Sequence, residues 1–485
     1  MRIVCAVLAS GLALCAAGDD VQQRLVGRSL GETPMLADLH ELCDGIGGRP
    51  TGSAACSRAV EWAAAKFRVA GADRVETETF TVPKLWLPEA AEAECTSPER
   101  FALRVAAAPH SESTAGTMEA RVVDAGEGAR EAFAGLGSSA RGAIALVMSK
   151  EMKSLDDLFA EYLKSGPMLE AARKAGVAAL LLQSTRPHGL LYRHPLANAN
   201  LPYSPPAAIV SREQAGRLAR LAEHGEVRVR LRLANLTGGA YESRNVVAEI
   251  TGRERPDEIV LLGAHLDSWD LGTGAEDNGA NSVLVIDTLR GMKALGVKPR
   301  RTVRFVLFTG EEQGMFGSAG YVLRHAAEMD KHNAAVIFDI GTGRTTGFFL
   351  NGREDLRRPL EKSLAGVNGL VANENPIDGI DGTDNLDFLL SGVPNLVANQ
   401  DALPYLPQYH AESDTVDRVN ARELRANAAM ASALVWWLAE DPERFGRRQS
   451  RDEVLKLLMD TKLDAQMKAF GQWEDFQAGK RGVGK

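Results

Sequence analysis

A histidine and two carboxylates stand close together between residues 265 and 277. Gly263-Ala264-His265-Leu266-Asp267 follows the apolar run Ile259-Val260-Leu261-Leu262, and Glu276-Asp277-Asn278-Gly279 comes one short loop later. Imidazole nitrogen and carboxylate oxygen are ligands that zinc takes in catalytic sites. Three later segments offer the same chemistry. Thr309-Gly310-Glu311-Glu312 closes the run from Val303 to Phe308, and Asp339 closes the run from Ala334 to Phe338. His410 lies in Tyr409-His410-Ala411-Glu412-Ser413-Asp414-Thr415, in a chain with only 9 histidines. Each piece alone has an ordinary reading: a Glu-Glu pair is a solvated surface, a single Asp after a strand is a turn or cap, a single His is a surface group. Their coincidence at successive strand ends points to a metal site able to support two-metal hydrolysis.

For these residues to meet, the strands that end in them must lie side by side. From residue 244 onward the chain alternates as that requires. Strands are expected at Ile259 to Leu262, Val303 to Phe308, Ala334 to Phe338 and Val393 to Val397. Between and after them helices are expected at Asn278 to Leu295, Ser318 to Met329 and Arg422 to Ala439. Such alternation implies an α/β fold with a mainly parallel-centred mixed sheet and helices on both faces. In that architecture ligands bind at the carboxyl ends of the strands. Upstream, residues 21–73 read as helical with a Gly-rich break at 45–53, and Val75 to Val82 as a strand. Residues 105–235 change texture to short strand-like runs plus a helix from Pro167 to Ala175, and read as an inserted domain with its own small core. His188 and His194 there are expected in a polar, solvated loop. Arg451 to Phe476 reads as an amphipathic helix pair with a basic tail. The expected organisation is a leader at 1–18, a main domain at 19–104 and 236–447, an insert at 105–235 and a helical tail at 448–485.

The net charge of -8 and pI near 5.7 argue against nucleic acid as a partner. Met1-Arg2 followed by the apolar, small-residue run Ile3 to Ala17 reads as a secretory signal peptide, which implies a secreted or periplasmic protein. Leu12-Ala13-Leu14-Cys15 loosely matches a lipoprotein-processing site, but Leu14 is large where a small residue is needed, so cleavage is favoured over a lipid anchor at Cys15. No later run is long and apolar enough for a transmembrane helix. Of 5 cysteines, Cys43, Cys56 and Cys95 lie beyond the leader. Two readings stay open: Cys43 and Cys56 pair across the Gly-rich turn, or all three are small buried residues.

Taken together, His265-x-Asp267, Asp277-Asn278-Gly279, Glu311-Glu312, Asp339 and Tyr409-His410 resemble the co-catalytic zinc aminopeptidase and carboxypeptidase family. His265-Leu266-Asp267-Ser268-Trp269-Asp270 and Gly310-Glu311-Glu312-Gln313-Gly314 are most similar to its plasma glutamate carboxypeptidase branch, and the resemblance extends over roughly 30–440, with Gly52-Ser53 and a protease-associated insert. It implies a zinc exopeptidase fold with two Zn²⁺ per chain. His265 and Asp339 would hold one ion and Glu312 and His410 the other, with Asp277 bridging. Glu311 would activate the metal-bridging water, and Asp267 would orient His265; Asp414 is a further candidate to orient His410. Asp277, Glu312 and Asp339 supply three negative charges against the four positive charges of two zinc ions. The implied substrates are dipeptides or short peptides, and the implied assembly is a homodimer. The segment Gly382-Thr383-Asp384-Asn385 departs from many relatives, which carry His at the last position, so Asn385 receives no role. Trp269 either walls the pocket or packs as a loop aromatic. Amino-end and carboxyl-end specificity stay open, as do two alternatives: a non-catalytic binding protein on the same scaffold and a single-zinc glutaminyl cyclase.

Overall fold

The computed structural model describes residues 20–197 and 201–484; the expected leader at 1–18 lies outside them. Seven strands form the main sheet: β1 (Arg74–Val82), β2 (Tyr241–Ile250), β3 (Arg255–His265), β4 (Arg301–Phe308), β5 (His332–Ile337), β6 (Thr345–Phe349) and β7 (Asn395–Gln400), in the order β1-β2-β4-β3-β5-β7-β6. The four central strands β4, β3, β5 and β7 run parallel, while β1, β2 and β6 join antiparallel at the two sides. The fold is mixed α/β.

Alternation along the central strands explains the layering. Val260 and Leu262 of β3, Val303, Phe305 and Leu307 of β4, and Ala334 and Val336 of β5 point to one face. That face packs under α1 (Ala54–Val69), α2 (Ala280–Ala294) and α5 (Ala421–Glu440), whose apolar residues belong to the same core. Leu261, Val306, Phe308, Ala335 and Ile337 point the other way, onto α3 (Phe316–Arg324) and α4 (Leu386–Leu390). Strands buried on both faces read as continuous apolar runs, which is why the sequence shows them so plainly. Ser53 caps α1 by accepting from the Cys56 amide, and Asn420 caps α5 by accepting from Glu423.

A second sheet of eight strands is threaded between β1 and β2. The two strands pair at Val82↔Tyr241, and the excursion leaves and returns through the antiparallel pair Leu85–Ser97 and Arg228–Gly238, joined at Leu85↔Gly238. The second sheet therefore starts at Leu85, ahead of the change in texture near 105. Its parallel strands Ile144–Val147, Ala179–Gln183 and Ala207–Val210 sit among their own buried residues. Its long helix runs Leu155–Ala175, capped by Ser154, with Pro167 inside it; the sequence reading took the proline as its start.

Other elements also differ from expectation. The helix expected from Asn278 begins at Ala280, because Asp277 and Asn278 have non-helical backbone angles and form an irregular turn. The helix expected to reach Met329 ends at Arg324 and continues as a 3₁₀ turn, Ala326–Lys331. The tail contains three short helices, Arg451–Asp460, Leu463–Ala469 and Trp473–Gln477, not two. Cys43, Cys56 and Cys95 are free thiols. Burial pushes Cys43 and Cys56 up to about 12, so both are inert at neutral pH. Among the described residues, no helix is long and apolar enough to cross a membrane.

The Gly-rich break at 45–53 is a wedge against the strand-end loop. A Cβ on Gly48 would lie 2.7 Å from the Asp270 Cα and 2.8 Å from the carbonyl oxygens of Trp269 and Gly272. Because the neighbours are backbone, they cannot yield as a side chain would. Gly48→Ala is expected to cost about 1–3 kcal/mol of stability, read as a lower midpoint in urea unfolding; an unchanged midpoint would show that the two loops separate freely.

Candidate metal centre

The register of the sheet brings the strand ends together. In β3, His265 pairs with Phe308 of β4, and Gly263 with Ile337 of β5. The residues that follow β4 therefore emerge on one side of His265 and those that follow β5 on the other. Glu311-Glu312 come from the first side and Asp339 from the second. Gly310, with φ of 77°, turns the chain out of β4 just before the glutamates.

All five expected ligand residues converge into two overlapping groups, His265–Asp277–Asp339 and Asp277–Glu312–His410. His265 Nε2 lies 2.9 Å from Asp339 Oδ1 and 3.2 Å from Asp277 Oδ1. His410 Nε2 lies 2.8 Å from Glu312 Oε2 and 3.4 Å from Asp277 Oδ2. Asp277 thus offers one oxygen to each histidine. Glu311 stands off, with Oε2 4.0 Å from His265 Nε2.

The other ring nitrogens settle which face of each imidazole carries a proton. His265 Nδ1 is 3.0 Å from the backbone oxygen of Asp267, and His410 Nδ1 is 2.9 Å from the backbone oxygen of Arg193. A carbonyl can only accept, so Nδ1 is the donor in both rings. In the neutral rings each Nε2 is then a bare lone pair facing carboxylate oxygens. Both oxygens of Glu312 and Asp277 Oδ2 are buried without a hydrogen-bond partner. Acceptors that face acceptors at these distances call for a cation between them. The donor set, two imidazole nitrogens with three carboxylates, fits zinc.

The electrostatics agree. Burial pushes Glu311 and Glu312 well above the usual carboxylate range, and neighbouring carboxylates add to it, Asp339 for Glu311 and Asp277 for Glu312. Burial likewise raises Asp339, opposed by His265. For His410 burial dominates and lowers it to about 4. For His265 burial also disfavours the charged ring, but Asp339, Asp267 and Asp277 outweigh it and raise the value well above the ordinary one. With its carboxylates ionised and both rings neutral, the state that binds a metal, the site would carry a surplus of buried negative charge.

The supporting residues were only partly legible in sequence. Asp267, expected to orient His265, meets the ring through its backbone oxygen; its carboxylate Oδ1 is 3.7 Å from Nδ1. The Asp267 carboxylate instead accepts from the Thr51 hydroxyl at 2.5 Å and from the Glu311 amide at 3.4 Å. Asp414 was a candidate to orient His410; it accepts the backbone amides of Ala275, Glu276 and Asp277 at 3.0, 2.6 and 3.2 Å, and so fixes the turn that carries the shared carboxylate. Asn278 donates to the Phe338 carbonyl and to Asp339 Oδ1, and Arg49, wholly buried, donates to the carbonyls of Leu266, Thr273 and Gly274. Asn278 stands in the motif and at the expected start of a helix, with no role attached, and Arg49 had no signal beyond sitting in the Gly-rich break. Trp269 is buried, edge-on to His410 at 6.1 Å and to Trp86 at 6.3 Å.

The second sheet takes part in the centre, which its sequence did not suggest. Its segment at 191–193 pairs by backbone with the loop of His410: Arg193 N donates to His410 O at 3.0 Å and Glu412 N to Leu191 O at 3.0 Å. The Arg193 guanidinium is held by both oxygens of Asp270, at 2.9 and 2.8 Å. His194, expected in a solvated loop, is buried, and its ring lies 4.2 Å from that of Tyr162. A cavity of about 150 Å³ opens beside Glu311, Glu312, Asp339 and His410, walled by Leu155, Leu158 and Phe159 of the second layer and by Phe470 of the tail. Asn385, which received no role, donates to the Ile380 carbonyl at 3.0 Å.

Residues 245–435 match the profile of Peptidase family M28. Carboxypeptidase Q of Rattus norvegicus is 31% identical over 243 residues, 50% of this chain and 51% of that protein. Carboxypeptidase Q of Homo sapiens is 30% identical over 279 residues, 57% of this chain and 59% of that protein. The chain thus spans about half the length of the first of these relatives. The crystal structure of a Peptidase M28 precursor from Shewanella amazonensis SB2B superposes with a TM-score of 0.78 at 28% identity, over 90% of this chain and 99% of that one. BSAP, a zinc aminopeptidase from Bacillus subtilis, shares the fold, with a TM-score of 0.67 at 19% identity over 84% of this chain and 94% of that one.

Two outcomes follow from the centre's support and charge. Asp414→Ala frees three amides next to Asp277 and is expected to weaken zinc binding about 10–100-fold, measured by competition with a chromophoric chelator, with the circular dichroism spectrum retained; unchanged affinity would deny Asp414 its part. Without metal, stability should fall as pH rises from about 6.5 towards 8. Burial holds Asp384 and Asp414 at about 8 in the folded chain, whereas unfolded they lose their protons near about 4, so rising pH favours unfolding. Thermal unfolding in chelator at both ends of that window tests the sign, and saturating zinc should flatten the slope.

Proposed function

We propose that this chain is a dinuclear zinc exopeptidase that hydrolyses dipeptides or short peptides. The observation that carries the proposal is Asp277 presenting one oxygen to each of two imidazole nitrogens that otherwise face only carboxylates. His265 and Asp339 would hold one ion and Glu312 and His410 the other, with Asp277 common to both groups. Bound there, two zinc ions supply Lewis acidity that polarises a peptide carbonyl and acidifies a water molecule.

The chain's own groups do the rest. Glu311 is the carboxylate of the cluster outside both ligand groups, and its oxygen lies near His265 without a ligand's closeness. It takes the proton of the attacking water and delivers it to the leaving amine, a role for which a carboxyl raised by burial is suited. Asp267 is a positioning residue: through Thr51 and the Glu311 amide it holds the turn that aims the base. The apolar walls beside the carboxylates exclude water and leave room for a small substrate. The division into a peptidase domain, an insert and a tail belongs to the same proposal, with the insert widened to the strands that close its neck at Leu85 and Gly238. So does a secreted or periplasmic location.

Metal analysis of protein purified in zinc is expected to give two ions per chain; one or none would exclude the dinuclear reading. Glu311→Gln is expected to lower kcat about 10²–10⁴-fold while both ions stay bound. Full activity in that variant would remove Glu311 as the base. A panel of unblocked, N-acetylated and C-amidated dipeptides then assigns the end that the enzyme reads.

A further inference from the structure

The cavity beside the metal centre carries a pair of hydroxyls from two different layers. Tyr162 stands on the Leu155–Ala175 helix of the second sheet, and Tyr409 precedes His410 in the ligand loop. Both line the cavity with Glu311, Glu312 and His410, and their hydroxyl oxygens are 2.9 Å apart. Among the described residues neither hydroxyl makes another hydrogen bond. Two hydroxyls bring two protons, and their mutual bond uses one. The second proton has no acceptor among the described residues and belongs to a hydroxyl of a cavity-lining ring.

Both rings are held. Tyr409 stacks on the His410 ring at 3.7 Å and 22°, and its carbonyl accepts from Arg186 Nη2 at 3.0 Å. Tyr162 is wedged edge-on against Phe470 at 5.5 Å and lies over His194 at 4.2 Å.

Resting on the peptidase reading, we propose that Tyr162 is a positioning residue supplied by the second layer: its hydroxyl fixes that of Tyr409, so that the spare proton points at the carbonyl oxygen of the bound peptide. As that carbonyl is attacked its oxygen gains negative charge. A donor already aimed at it stabilises this state more than the ground state. The second sheet then serves the reaction itself as well as holding His410.

Tyr162→Phe keeps the ring and its packing and removes only the hydroxyl. Steady-state hydrolysis of Leu-Leu and Ala-Ala is measured for the parent, Tyr162→Phe, Tyr409→Phe and the double variant, together with zinc content and melting temperature. The expected result is a kcat about 10–100-fold lower in Tyr162→Phe, with KM within about twofold and metal content and melting temperature unchanged. Because Tyr162 acts through Tyr409, the double variant should be no slower than Tyr409→Phe alone. An unchanged kcat, losses that multiply in the double variant, or a fall traced to lost zinc overturns the positioning role while leaving the peptidase reading intact. A zinc-loaded parent that cleaves neither dipeptide overturns both.

Discussion

The molecule is organised around a cluster of buried carboxylates whose ionised form its own neutral side chains do not balance. Carbonyl oxygens claim the Nδ1 proton of both His265 and His410. With both rings neutral, their remaining nitrogens face Asp277, Asp339 and Glu312 as acceptors facing acceptors. Burying carboxylates without counter-charge is costly, and the fold concentrates them at one edge of a sheet whose strands are otherwise apolar. The surrounding architecture serves to hold that arrangement in place against its own repulsion.

Much of that holding is done by backbone, on one side or the other of each contact. Asp414 gathers three consecutive amides of the turn that carries Asp277. Arg49 gathers three carbonyls of the loop between His265 and that turn. Glu276 reaches across to the Thr342 amide and hydroxyl and ties the turn to the segment after Asp339. An irregular backbone offers unpaired amides and carbonyls, and buried ones must find partners. Polar side chains buried as hubs both satisfy that requirement and fix the ligand carboxylates to within a hydrogen bond's tolerance. The second sheet adds the last clamp, by pairing its 191–193 segment with the loop of His410.

That second layer changes the sense of an insertion. Its neck is closed where β1 meets β2, so it can be threaded into the chain without disturbing the main sheet. Yet it returns over the cleft, supplies the carbonyl that orients one histidine, and lines the cavity with Leu158, Phe159 and Tyr162. The centre is therefore complete only when both layers are in contact, and the cleft is narrower than the main sheet alone would make it.

The sequence by itself determined the parallel centre and the ligand candidates. Strands buried on both faces must be continuous apolar runs, and the turns that end them displayed His265, Glu311-Glu312 and Asp339 in plain order. It did not determine the start of the second sheet at Leu85, since Leu85–Ser97 is only partly buried and carries polar residues like any exposed strand. Nor did it show that His194 is buried, that Asp414 serves Asp277, or that Arg193 serves His410, because each depends on segments far apart in the chain meeting across a layer boundary. Local period and composition report which face of an element is apolar. Which carbonyl a ring nitrogen meets is decided only when the layers pack, and here that choice turns two histidines and a set of carboxylates into candidate metal sites.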